Sequence, residues 1–203
     1  MSSPSRRLVL AALTLAPAGC SGLLASSTPA PQLYTLTPAA DFPPGGARVA
    51  WQLLVDVPAS AAALDSERVA LSRSATTMDY FADAAWTDRA PLMVQSLIVQ
   101  SFENSSRIAA VGREALALKG DYVLRPELRH FEADYAGGGM PAAHVQISVK
   151  LVKLPNRVIV AQQIFDAAVP AAANLVPAII DAFDTALHQV IRRMVDWVLA
   201  TAR

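Results

Sequence analysis

The chain has 203 residues, 53% of them hydrophobic and 17% charged, which is enough apolar material to bury a core of single-domain size and argues against disorder as the default state. Alanine accounts for 39 of these residues, so the positive mean hydropathy overstates how apolar the surfaces have to be. Lys+Arg and Asp+Glu both total 17, and a chain with no basic excess lacks the footprint that a nucleic-acid polyanion needs.

Residues 1–19 read as a secretory signal peptide, with basic Arg6 and Arg7, an apolar run from Leu8 to Ala16, and small Ala18 and Gly19. Crossing the hydrocarbon as a helix takes about 20 apolar residues, and this run is shorter; later apolar runs are all interrupted by Arg, Asp, Glu or Lys. Attachment to a membrane therefore falls to the one cysteine, Cys20, which has no partner for an internal disulfide. The segment Leu15-Ala16-Pro17-Ala18-Gly19-Cys20 resembles a bacterial lipobox, with Pro17 where a branched aliphatic is usual. That resemblance implies cleavage between Gly19 and Cys20 and diacylation of Cys20. Two or three acyl chains, at about 0.8 kcal/mol per buried methylene, hold far more firmly than one myristoyl group. Ser5-Arg6-Arg7 followed by Leu8, Val9 and Leu10 also resembles a twin-arginine signal, so the export route stays open between that and the general secretory one. Residues 20–31 read as a lipidated cysteine plus tether: small residues and proline build no core, and the segment spans about 35 Å when extended. Ser21 is not the aspartate that marks inner-membrane retention in enterobacteria, which favours the outer membrane facing the periplasm.

Residues 32–203 are expected to form one α+β domain, a mostly antiparallel sheet covered by two main helices. A short strand is predicted at 32–36 and a longer one at 51–57, with Trp51, Leu53, Val55 and Val57 on one face and Pro58 as its stop. Further strands are expected at 68–71 and 78–86. Ala90, Val94, Ile98 and Phe102 repeat every four residues and predict a helix over 88–105, with Thr87 or Asp88 as N-cap and Pro91 in the first turn. A brief strand follows at 107–112. The segment 121–135 reads as a strand whose alternation changes phase around Pro126, which predicts a bulge or an edge.

Gly137-Gly138-Gly139 has no lysine at Walker spacing and no helix start behind it, so it reads as a hairpin connection. Val145, Ile147, Val149 and Leu151 alternate with His144, Gln146, Ser148 and Lys150, one buried and one wet face. Leu154-Pro155-Asn156-Arg157 supplies a turn, and 158–167 returns as a more uniformly apolar and hence more central strand. From Asn174, expected as N-cap, a long helix carries the stripe Val176, Ile180, Phe183, Leu187, Val190, Met194, Trp197 toward the core; a coiled-coil seam is the alternative.

The chain's three histidines, at 130, 144 and 188, have no second histidine or cysteine at metal-ligand spacing, so no metal site is predicted. His144 is expected on the wet face of its strand, and His188 one turn after Asp184. No G-x-S-x-G elbow or dinucleotide glycine fingerprint occurs. No catalytic or cofactor-binding residue is predicted, and the chain is read as non-enzymatic.

The stretches 64–71 (LDSERVAL), 80–91 (YFADAAWTDRAP) and 95–103 (QSLIVQSFE) resemble the ABC-type transport auxiliary lipoproteins, which include the PqiC-like proteins. The likeness continues through Asp121-Tyr122 and Glu127-Leu128-Arg129 to Ala182-Phe183-Asp184. It implies a lipid-anchored periplasmic α+β domain working beside an ABC permease and ATPase and a mammalian-cell-entry (MCE) domain protein, in systems that move lipid between the two membranes. The chain has no ATP-binding motif and is expected to be the accessory that docks or assembles the transporter at the outer membrane. The alternative is a carrier or structural lipoprotein that itself binds lipid or cell-wall material. Asp88 and Arg89 are explained by helix capping and a surface ion pair as readily as by partner contact. The oligomeric state, a homo-oligomer included, and the lipid moved are left open.

Overall fold

Val145, Ile147, Val149 and Leu151 are all fully buried in the computed structural model, which describes residues 30–43, 45, 48–114 and 119–202. The alternation that carries them forms β8 (Ala142–Lys153), flanked by β7 (Tyr122–Asp134) and β9 (Val158–Pro170) in one long antiparallel meander. Before it come β1 (Gln32–Tyr34), β2 (Val49–Val55), β3 (Ala59–Ser60), β4 (Arg68–Ser74), β5 (Thr77–Trp86), α1 (Ala90–Ser105) and β6 (Ile108–Arg113). After it the chain closes with α2 (Val176–Thr201). The α+β expectation holds, with nine strands among the described residues in a single mixed sheet.

The antiparallel ladders β4–β5, β7–β8 and β8–β9 contain most of the paired residues, yet β7 takes its other neighbours in parallel. Along that edge it meets β2 at Tyr122–Leu124, β3 at Glu127 and Leu128, and β4 from Glu132 to Asp134, one after another. The strand expected to be an edge or bulged at Pro126 is therefore the middle of the sheet. Pro126 is tolerated because it falls in the gap between β2 and β3, where no parallel partner waits for an N–H. The bulge is present three residues later, at Arg129, between the pairs Leu128 with Ile147 and His130 with Gln146. One extra residue changes which face each side chain takes, so Leu128 and Phe131 both point into the core while His130 and Glu132 turn to the opposite face.

Both helices cover the same face. α1 lies on β6 and β2, and α2 lies on β8 and β9 and touches α1. From Ile180 to Met194 the predicted stripe is buried, with Val176 and Trp197 half-buried at its ends, so α2 faces the core and is no free coiled-coil seam. Phe183 meets Trp86 edge-on at 5.4 Å between ring centroids and Phe131 at 5.1 Å, which joins α2 to β5 and β7. Ser101, fully buried on α1, accepts the Ala39 N–H at 3.0 Å and donates to the Leu97 carbonyl, fastening the segment after β1 to the helix.

The helix starts differ from expectation. Arg89, extended at φ −56° and ψ 133°, precedes α1 without a side-chain cap, and Asp88 instead accepts the Arg89 N–H at 2.7 Å. Leu175 precedes α2, while Asn174 accepts a hydrogen bond from the Tyr135 hydroxyl at 2.8 Å. Pro91 falls in the first turn as predicted, and Pro177 takes the same place in α2, where an absent N–H costs nothing. The segment read as a central strand is the sheet edge: among the described residues β9 pairs with β8 alone. Uniform apolarity suggested burial on both faces, but α2 reaches β9 at Phe165 through Trp197, and Val158, Ile159, Val160 and Ile164 stay exposed.

Candidate functional site

The sheet face away from the helices has two distinct zones. At one end, β7, β8 and β9 bring His130, Glu132, His144 and Asp166 together. Glu132 stands directly across from His144, and Gln146 lies between His130 and Asp166 in register. The glycine connection makes this possible: Gly138 and Gly139 adopt positive φ of 67° and 98°, a conformation open to glycine, and reverse the chain so that β8 runs back along β7.

Glu132 is the centre of this group. Its side chain is 6% exposed, and among the described residues only His130 and His144 come within ion-pair distance of the carboxylate. Oε1 lies 2.6 Å from His130 Nδ1 and 3.9 Å from His144 Nδ1, while Oε2 accepts the Phe131 N–H at 2.6 Å. The two imidazoles stack, with centroids 4.3 Å apart and planes 18° from parallel. On the far side, His144 Nε2 lies 2.8 Å from Asp166 Oδ1, which also accepts from Gln146 at 2.9 Å. Burial pushes the Asp166 carboxyl up, but the hydrogen bonds from Gln146 and His144 and the charges of His144 and His130 together outweigh it and hold the group below its usual range. An ionised carboxylate only accepts, so the proton between Asp166 and His144 belongs to Nε2.

The other zone is apolar. Leu54, Val123 and Val152 form a small second cluster beneath Leu154, and Ile159, 56% exposed, pairs with Val152 at its rim. Arg125, Lys150 and Arg157 surround a recess of about 270 Å³ there. A groove of about 920 Å³ runs beside β3, walled by Asp56, Arg125, Glu127, Arg129 and Lys150. Val57, Ala59, Pro126 and Leu128 add apolar surface to the same groove.

Cys20 and Gly19, the residues singled out for lipid attachment and signal cleavage, lie outside the described residues. Arg89 pairs with Asp65 through both Nε, at 2.8 Å, and Nη2, which with the Asp88 contact gives this motif a structural role. His188 sits one turn beyond Asp184, and both bond Thr37, anchoring the chain after β1 to α2. The cross-strand cluster was invisible to a search for nearby ligand pairs, because His130 and His144 belong to different strands. The signal was the hairpin itself: a turn centred on Gly138 places 132 opposite 144. Among the described residues no helix is long and apolar enough to cross a membrane.

Comparison with known proteins agrees with this fold. A crystal structure of protein XCC0632 from Xanthomonas campestris superposes with a TM-score of 0.75 at 34% identity, covering 84% of this chain and 96% of that one. A second crystal structure, of an uncharacterised protein, gives a TM-score of 0.63 at 13% identity over 84% of this chain and 99% of the other, a likeness of fold alone. An uncharacterised protein of Bradyrhizobium diazoefficiens is 24% identical over 188 residues, 90% of this chain, and the chain spans about half (49%) of that relative. The family model described as ABC-type transport auxiliary lipoprotein component matches residues 34–195, from β1 to the last turns of α2. A lipoprotein of an ABC transport system belongs to the cell envelope, and the chain is a member of the ABC-type transport auxiliary lipoprotein component family.

Proposed function

We propose that this protein is a non-enzymatic, lipid-anchored accessory subunit of an ABC/MCE-type intermembrane lipid transport system, which docks or assembles the transporter at the outer membrane from the periplasmic side. The observation that carries the reading is the family match across nearly the whole folded domain. Cys20 is the proposed acylation site, after cleavage behind Gly19, and residues 21–31 are the proposed tether between membrane and domain. The β9 edge fits the docking part of the proposal. Val158, Ile159, Val160 and Ile164 are exposed on a strand whose outer edge has no partner among the described residues, and such an edge offers backbone groups for strand addition and side chains for burial. The MCE-domain protein of the same system is the partner proposed for it.

A photo-crosslinking residue placed at Val160 tests this in cells. Recovery of an MCE-domain protein or its ABC permease in the adduct is the expected result. Phospholipid bound stoichiometrically to the purified chain, with no protein adduct, would instead favour the carrier reading.

A further inference from the structure

We propose that His130, Glu132 and His144 form a binding site for one divalent transition-metal ion of the zinc class, with Asp166 as the positioning residue of His144. The site is independent of the transport reading. Its donors are two imidazole nitrogens and one carboxylate oxygen, a set that suits zinc and its neighbours, and the ligand atoms all lie within 4.8 Å of one another.

Three observations point to a cation at the centre of this group. Glu132 is a carboxylate buried on a sheet face without Lys or Arg at ion-pair distance among the described residues, and a buried charge calls for a partner. His144 Nε2 lies 2.8 Å from Asp166 Oδ1, a contact that turns Nδ1 toward the cluster, 3.9 Å from Glu132 Oε1. A carboxylate that holds one imidazole nitrogen so that the other is free is the arrangement that orients and strengthens a metal-ligating histidine.

The distances fit an ion with modest adjustment. Bonds of about 2.1 Å in tetrahedral geometry separate neighbouring ligand atoms by roughly 3.4 Å. The 3.9 Å gap between His144 and Glu132 has to close slightly, and the 2.6 Å contact between His130 and Glu132 has to open as the metal displaces the proton on His130 Nδ1. The stacked rings cannot both contain the ion in their planes, so one turns about its terminal torsion. His130, with a 43% exposed side chain, is free to do so. Water or a side chain from another protein completes the shell.

The test uses the full chain, purified in detergent and stripped with a chelator, titrated with Zn²⁺ alone by calorimetry and with Co²⁺ by visible absorption. The expected result is one ion per chain and the intense absorption of four-coordinate Co²⁺. His130→Ala and Glu132→Gln abolish uptake, Asp166→Asn weakens it by about 10–100-fold, and His188→Ala leaves it unchanged. Far-UV circular dichroism accompanies each variant, and if Glu132→Gln fails to fold, the more exposed His130→Ala decides. The proposal is overturned by a wild-type chain that takes up no stoichiometric metal, by a folded His130→Ala chain that binds as tightly as wild type, or by loss of uptake in His188→Ala.

Discussion

Replacing Phe183 tests whether the aromatic centre holds α2 to the sheet. The side chain is fully buried and its ring meets Trp86 at 5.4 Å and Phe131 at 5.1 Å, so one residue joins the C-terminal helix to β5 and β7. Phe→Ala at such a site costs about 3–5 kcal/mol, from lost transfer energy and the cavity left behind. For a domain of this size each kcal/mol lowers Tm by about 2–4 °C, so a loss near 4 kcal/mol lowers it by about 8–16 °C. Phe183→Leu separates the two contributions. It keeps most of the buried volume and loses both ring pairs, each worth about 0.5–1.5 kcal/mol beyond area, so it costs about 1–3 kcal/mol. Scanning calorimetry of the purified chain reads both. A fall of less than about 3 °C for Phe183→Ala, under 1.5 kcal/mol on the same scale, would refute the assignment of the clamp to this ring.

Other outcomes follow from single contacts. Ser101→Ala strands the Ala39 N–H beneath α1 and is expected to cost about 1–3 kcal/mol in denaturant unfolding, with the segment after β1 loosening first by hydrogen exchange. Val160→Lys on the exposed edge should change folding stability by no more than about 0.5 kcal/mol yet prevent co-purification of the proposed partner, which a pull-down from solubilised envelopes reads directly. Cys20→Ala should move the protein from the membrane to the soluble fraction and abolish labelling by a palmitate analogue; continued membrane attachment, together with no labelling of the wild type, would remove the anchor from the proposal. Arg89→Ala breaks an exposed pair with Asp65 and should cost no more than about 1 kcal/mol.

Much of this fold was legible where periodicity reports burial directly. The alternation of β8 and the stripe of α2 are local patterns, and their apolar members are buried except at the ends of the stripe; Ser148, expected on the wet face of β8, is buried as well. β9 misled because apolarity marks what a strand prefers to touch without revealing whether the same chain supplies it: α2 meets the strand at Phe165 and leaves 158–160 bare. At β7 the phase change is legible, but the conspicuous residue, Pro126, is not its cause: the inserted residue is Arg129. Parallel pairing was not legible, since it depends on which distant strands share an edge. The histidine cluster was hidden for a related reason: it depends on cross-strand register, and the bulge decides that His130 and Glu132 leave the core side while Phe131 enters it.

The central position of β7 has a consequence for how the molecule comes together. Without it the remaining strands fall into separate pieces: a ribbon of β1, β5 and β4, a pair of β2 and β6, an isolated β3, and the hairpin of β8 and β9. Leu53 and Tyr122, which pair across one of these seams, are far apart in the chain, so the seams close only through long loops. A chain truncated before β7 therefore has fragments of sheet and no way to join them. Folding is expected to be slow and all-or-none, as for other proteins dominated by contacts distant in sequence, with the joining of these pieces on β7 as its decisive event.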